Sequence, residues 1–215
     1  MEANIPAMRA LSALLAVGCV GAAEFVVRDA QVELVALPTS FSYELSGSSA
    51  STSGDDGFKS GTGLRVGTRW SWSMPGSSFG ALAGADLVAD GFTYSGGGGM
   101  AAYGLRGALG GGWAVSDRWQ ILGELGATYG RANLDLPGTA SAPAQSAAGS
   151  FLGYDARLGA SWQVARGLNV GLSAGWLKTS YALDGAGVNI DLERSGLFVG
   201  LGISWRIDDA PPTLE

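Results

Sequence analysis

Between Ser195 and Ile207 the chain alternates strictly, and no other stretch narrows its folding options as much. Leu197, Val199, Leu201, Ile203, Trp205 and Ile207 are apolar, and Gly196, Phe198, Gly200, Gly202, Ser204 and Arg206 stand between them. A period of two puts one set on each face of a β-strand. The apolar row is unbroken over six positions and ends on Trp, and similar rows recur seven times upstream. A strand crossing a bilayer at its usual tilt needs about 9 to 11 residues, and this one has enough.

The other rows predict strands over Thr39–Ser46, Gly63–Trp72, Phe79–Asp90, Ala101–Trp113, Trp119–Tyr129, Leu152–Trp162 and Leu168–Trp176. Glu24 to Val35 reads as a mixed lead-in, with Pro38 suited to the start of a strand. The stretches between strands alternate in length. Gly47–Ser60, the glycine run Gly96–Gly99, Asn133–Ser150 and Ala182–Arg194 read as long loops, whereas Met74–Ser78, Ser116–Arg118 and Ala165–Gly167 read as tight turns. An even number of antiparallel strands with short turns at one end and long loops at the other is the pattern of an outer-membrane barrel. The expected fold is therefore all-β, an eight-stranded antiparallel up-and-down transmembrane β-barrel.

A barrel in lipid carries aromatic girdles at both interfaces, and the aromatic residues sort in that way. Trp70, Trp72, Trp113, Trp119, Trp162 and Trp205 fall beside the tight turns or the carboxyl tail, with Trp176 the exception. Tyr43, Tyr94, Tyr103, Tyr129, Tyr154 and Tyr181 fall at or near the long-loop ends.

With the apolar face turned to lipid, the charged strand residues turn to the lumen: Glu44, Arg65, Arg69, Asp86, Asp90, Arg106, Glu124, Asp155 and Arg157. An eight-stranded barrel is just wide enough for side chains to fill it, and buried charges need partners. The expectation is a lumen plugged by an ion-pair network, with glycines on the inward face making room for it. The chain has 36 Gly in 215 residues, more than twice the usual share of about 7 %.

Near the amino terminus, Arg9 precedes the apolar run Ala10–Val20 and the small residues Gly21, Ala22 and Ala23, as in a cleavable secretory signal. The expected organisation is a signal peptide over 1–23, a barrel over 24–207 and a periplasmic tail over 208–215. The single cysteine, Cys19, lies in the signal. The run Ala16-Val17-Gly18-Cys19 resembles a lipoprotein signal, though Ala stands where Leu is usual. Net charge is −6 with no basic cluster, which argues against nucleic acid as a partner.

Gly76–Gly80 and Gly171–Gly175 match G-x-S-x-G, around Ser78 and Ser173, but one is a turn, the other lies inside a strand, and the chain has no His to act as base. Lys59-Ser60 follows Phe58 where a phosphate loop has Gly. No cofactor is expected. Asp55-Asp56 and Asp184/Asp191/Glu193 could hold Ca²⁺ weakly, against the commoner reading of solvated loop charge.

Over Thr39–Ile207 the pattern resembles the small eight-stranded outer-membrane barrels of Gram-negative bacteria, the OmpA transmembrane domain and OmpX-like proteins. Gly200, Ile203 and Trp205 look like the last-strand signal read by the barrel-assembly machinery, although Asp208–Glu215 follows it. The resemblance implies a monomer in outer-membrane lipid and lipopolysaccharide. It also implies a non-enzymatic role in envelope integrity, adhesion or defence through four surface loops. Barrel enzymes acting on lipid or peptide use a histidine that this chain lacks. A soluble lipocalin-like carrier would need the opposite facing, apolar inward and polar outward.

Overall fold

The computed structural model describes residues 26–37, 40–46, 51–73, 76–94, 97–136, 145–185 and 188–207. The expected signal peptide with Cys19, and the tail 208–215, lie outside them. Nine strands account for nearly all of the described chain: β1 Val26–Leu37, β2 Ser40–Ser46, β3 Ser51–Ser73, β4 Phe79–Tyr94, β5 Gly99–Ala114, β6 Trp119–Leu136, β7 Gln145–Ala165, β8 Leu168–Gly185 and β9 Val188–Arg206.

Each strand pairs antiparallel with its neighbours, and the sheet closes through β9. β1 and β2 lie end to end between the same two neighbours. β1 pairs with β3 and β9, and β2 pairs with β3 and β9 further along. They therefore fill one position of the ring, and the barrel has eight staves. The interval between them holds Pro38, whose nitrogen has no hydrogen to give to a ladder. Opposite this break β3 carries one extra residue. Its register with β4 shifts between Phe58 and Ser60, and its register with the β1/β2 stave shifts by one over the same stretch. Both neighbours thus register the same β-bulge.

Two sequence expectations are corrected by this ring. Residues 24–35 are no mere lead-in, because Val26–Leu37 supplies half of the first stave. The long loops are largely strand: β3 begins at Ser51, β6 runs to Leu136, β7 starts at Gln145, and β8 and β9 together cover most of 182–194. What joins the staves at that end, the loop end, is 47–50, 95–98, 137–144 and 186–187. The opposite, turn end has the connections 74–78, 115–118 and 166–167, where Gly76 and Gly167 take φ of 76° and 71°, conformations that favour glycine.

The loops were overestimated because the barrel exchanges its polarity part-way up. Toward the turn end, outward positions are apolar and exposed, such as Leu105, Leu125, Leu158, Leu172 and Leu201. Toward the loop end the same outward face carries Arg131, Asn133 and Asp135 on β6, Lys178, Ser180 and Asp184 on β8, and Asn189, Asp191 and Glu193 on β9, all exposed. There the apolar side chains turn inward. Phe41, Phe92, Met100, Leu134, Phe151, Tyr181, Leu183, Ile190 and Leu192 form one buried cluster inside the barrel. A row that changes parity has no single greasy face, so in sequence it loses the alternation that marks a strand.

Candidate functional site

The barrel interior is built from the inward positions of all eight staves. In its middle, Arg69 on β3 grips Asp86 on β4 with two hydrogen bonds, Nη1 to Oδ1 at 2.8 Å and Nη2 to Oδ2 at 3.0 Å. Its Nε donates to Glu124 Oε1 on β6 at 2.7 Å. Arg106 on β5 makes a second fork onto Asp155 on β7, at 2.8 Å from Nε and 2.6 Å from Nη2, and reaches Asp86 with Nη1 at 3.0 Å. Arg157 on β7 links Glu124, 2.8 Å from its Nε, to Glu33 on β1, 2.6 Å from Nη1. Ser173 Oγ donates to the other oxygen of Glu33 at 2.5 Å, and Gln31 Nε2 donates to Asp86 at 3.0 Å. Such bidentate, charge-assisted contacts are the strong ones.

Above this layer, Arg65 lies 3.8 Å from Glu33 with its guanidinium 4.9 Å from the centre of the Phe198 ring. Nearer the loop end, Arg194 on β9 donates to Asp90 at 3.3 Å and to Thr179 at 3.2 Å. Its guanidinium stands 4.6 Å from the Phe92 ring centre and within 5.9 Å of Phe41 and Tyr181. Two of its nitrogens have no hydrogen-bond acceptor, and the cation faces these aromatic rings, which attract it electrostatically. Buried Glu33, Asp86, Asp90, Glu124 and Asp155 face buried Arg65, Arg69, Arg106 and Arg194, and the less deeply buried Arg157 brings the arginines of this network to five.

Eight of the nine residues that the sequence assigned to the lumen stand in this interior and are buried or half-buried: Arg65, Arg69, Asp86, Asp90, Arg106, Glu124, Asp155 and Arg157. Glu44 does not. It lies on the exposed outer face of β2, because Phe41 on the same stave points inward. The expected facing of that first row, with Phe41 toward lipid, is inverted. Glu33 and Arg194 were missed, since one fell in the presumed lead-in and the other in a presumed loop. The signal for Glu33 was present: Val32 and Leu34 flank it in the outward parity of Ala30 and Ala36.

Glycines opposite the charges make room for them. A Cβ on Gly126 would stand 2.5 Å from Arg106 Nη2 and 2.6 Å from Asp155 Oδ2, and one on Gly84 would stand 2.5 Å from Arg69 Nη1. Gly200 has the same role, 2.5 Å from Glu33 Oε1 by that measure, beside its place in the expected assembly signal, whose Ile203 and Trp205 point outward. Ser173 of the second G-x-S-x-G match is taken up by Glu33, and Ser78 of the first sits in the exposed β3–β4 connection. The side chains of Asp55, Asp56, Phe58 and Lys59 lie outside the described residues. Among the described residues no group of three or more His, Cys, Asp or Glu is placed to hold a metal.

On the outer wall, Trp113, Trp119, Trp162 and Trp205 are exposed at the turn end, where Trp119 and Trp162 stack at 6.0 Å, and Trp70 and Trp72 stand half-exposed on β3. Tyr103, Tyr129 and Tyr154 are exposed at the upper edge of the apolar band, as is Trp176. Tyr181 is inside the barrel, and the Tyr43 side chain lies outside the described residues. A closed ring of eight antiparallel staves with an outward apolar band between two aromatic rims satisfies the requirements of a bilayer-spanning sheet. Its architecture is that of a small outer-membrane barrel.

No protein family matches the chain, and no curated protein does. Among solved structures, Neisserial surface protein A is similar at 13% identity and a TM-score of 0.46, covering 86% of this chain and 100% of that one. The outer membrane protease OmpT from Escherichia coli is similar at 11% identity and a TM-score of 0.46, covering 84% and 97%. Ail, the attachment invasion locus protein of Yersinia pestis, is similar at 14% identity and a TM-score of 0.37, covering 84% and 99%.

Proposed function

We propose that the protein is a non-enzymatic outer-membrane barrel, closed to ions and solutes, that acts through the polar surface it holds beyond the bilayer. In this reading it reaches the outer membrane by a cleaved signal peptide and is inserted by the barrel-assembly machinery through Gly200, Ile203 and Trp205. It stands there as a monomer among phospholipid and lipopolysaccharide. Its work is in envelope integrity, adhesion or defence, carried by the ends of the staves and the four connections between them.

One observation carries the reading: the lumen holds a charge-balanced ion network and, stacked over it, a buried apolar cluster. Among the described residues, a hydrated ion entering the lumen from the loop end would meet aliphatic and aromatic side chains before the network charges, at a desolvation cost of several kcal/mol. Every network carboxylate described above has an arginine partner, which leaves none of them poised as a free acid or base. Reconstitution into planar bilayers tests the closed lumen, with small, rare openings or silence as the expected record. Large steady currents would refute it.

A further inference from the structure

On the side of the barrel formed by β7 and β8, inward positions differ sharply between the two ends, whereas on β4 they are buried from Leu82 to Phe92. On β7, Ala147, Phe151, Gly153 and Asp155 are buried, but Arg157, Gly159, Ser161 and Gln163 are half-exposed. On β8 the order is mirrored, with Asn169, Gly171, Ser173 and Gly175 half-exposed and Leu177, Thr179, Tyr181 and Leu183 buried. The half-exposed positions are Gly, Ser, Asn and Gln, apart from the network's own Arg157. Five of the eight, Arg157 and its neighbours Gly159, Ser161, Gly171 and Ser173, line a cavity of about 70 Å³ that also reaches Glu33, Glu124 and Ser204. A cavity of that size has room for several waters, and although part of its wall is apolar, Leu122 included, the three serines and the carboxylates of Glu33 and Glu124 offer them polar partners.

From this we propose that the turn end of the barrel is a blind aqueous vestibule, so that water, protons and small hydrophilic solutes reach the Glu33–Arg157–Glu124 edge of the network from that side alone. The inference rests on the closed-lumen reading and adds a direction to it. Water enters as far as Glu33, and the layer of Phe92, Phe151, Tyr181 and Leu192 keeps it from entering at the other end. The network is then in exchange with one compartment only. Asp90 and Arg194, on the far side of Arg65, are out of reach of both.

Single-cysteine accessibility tests this in the full chain carrying Cys19→Ser, refolded in detergent micelles where both ends of the barrel meet the reagent. Ser161→Cys and Ser204→Cys probe the vestibule, and Ala102→Cys and Ala132→Cys probe inward positions of the loop end, where the alanines are 2% and 0% exposed. A small cationic methanethiosulfonate should modify the first pair at least about tenfold faster than the second, since thiol reactivity follows access. Heat-dependent gel migration confirms folding of each variant. Protection of Ser161→Cys and Ser204→Cys overturns the vestibule while leaving a silent bilayer recording, and with it the closed lumen, intact. Rapid modification of all four overturns the sidedness, and the bilayer recording then shows whether the lumen is open from end to end.

Discussion

At the scale of single residues, the inward glycines and the arginines form one device. Gly126 is small so that the Arg106–Asp155 fork can lie against its backbone. Gly126→Val should therefore push one member of the fork away and leave a buried charge without its partner, at a cost of about 3 kcal/mol. Gly123→Ala, whose new carbon would meet only Leu158 at 3.4 Å, should cost less than about 0.5 kcal/mol. Urea titration of the barrel in lipid vesicles measures both, and equal midpoints would contradict the role given to Gly126. These pairings explain what could be read without coordinates. Arg65, Arg69, Asp86 and Arg106 sit in rows whose other members alternate cleanly, so their facing followed from parity. Partner choice did not, because Arg69 meets Glu124 three staves away, across a lumen whose width no strand records.

At the scale of the strand, β9 shows both the success and the failure of reading by alternation. From Leu197 to Ile207 the outward row is apolar and the strand is plain. From Asn189 to Ser195 the outward row is Asn189, Asp191, Glu193 and Ser195, and the greasy residues Ile190 and Leu192 stand in the other parity. The lower half obeys lipid and the upper half obeys water, so a rule that asks for one solvent along the whole strand stops at the boundary. Glu44 was assigned to the lumen for the same reason, by applying the lower rule to the upper half of a stave. The boundary is testable on one face of one strand. Val199→Arg puts a charge into the apolar band and should lower insertion stability by roughly 2 to 4 kcal/mol. Asp191→Arg, eight positions earlier on the same face, should leave folding unchanged. Folded yields in vesicles compare the two, and equal tolerance would misplace the band.

For the molecule as a whole, closure of the ring by β9 against the β1/β2 stave leaves no free edge, as a sheet in hydrocarbon requires. The outward leucines, many of them more than half exposed, then need a solvent other than water. The purified barrel should stay folded only with detergent or lipid, and should migrate on mild gels in two heat-dependent forms. A monomer that remained folded and dispersed in plain buffer would remove the basis of the outward assignment.

The exchange of polarity part-way up the staves also fixes depth. Two residues along a tilted strand amount to about 5 Å of vertical travel. A barrel sinking by that step would carry Lys178, Arg131 and Glu193 into hydrocarbon, and one rising by it would lift the leucine band into water. Either displacement costs several kcal/mol around the circumference. The molecule sits in its membrane like a flanged stopper, so whatever meets its outer rim meets it at a constant height.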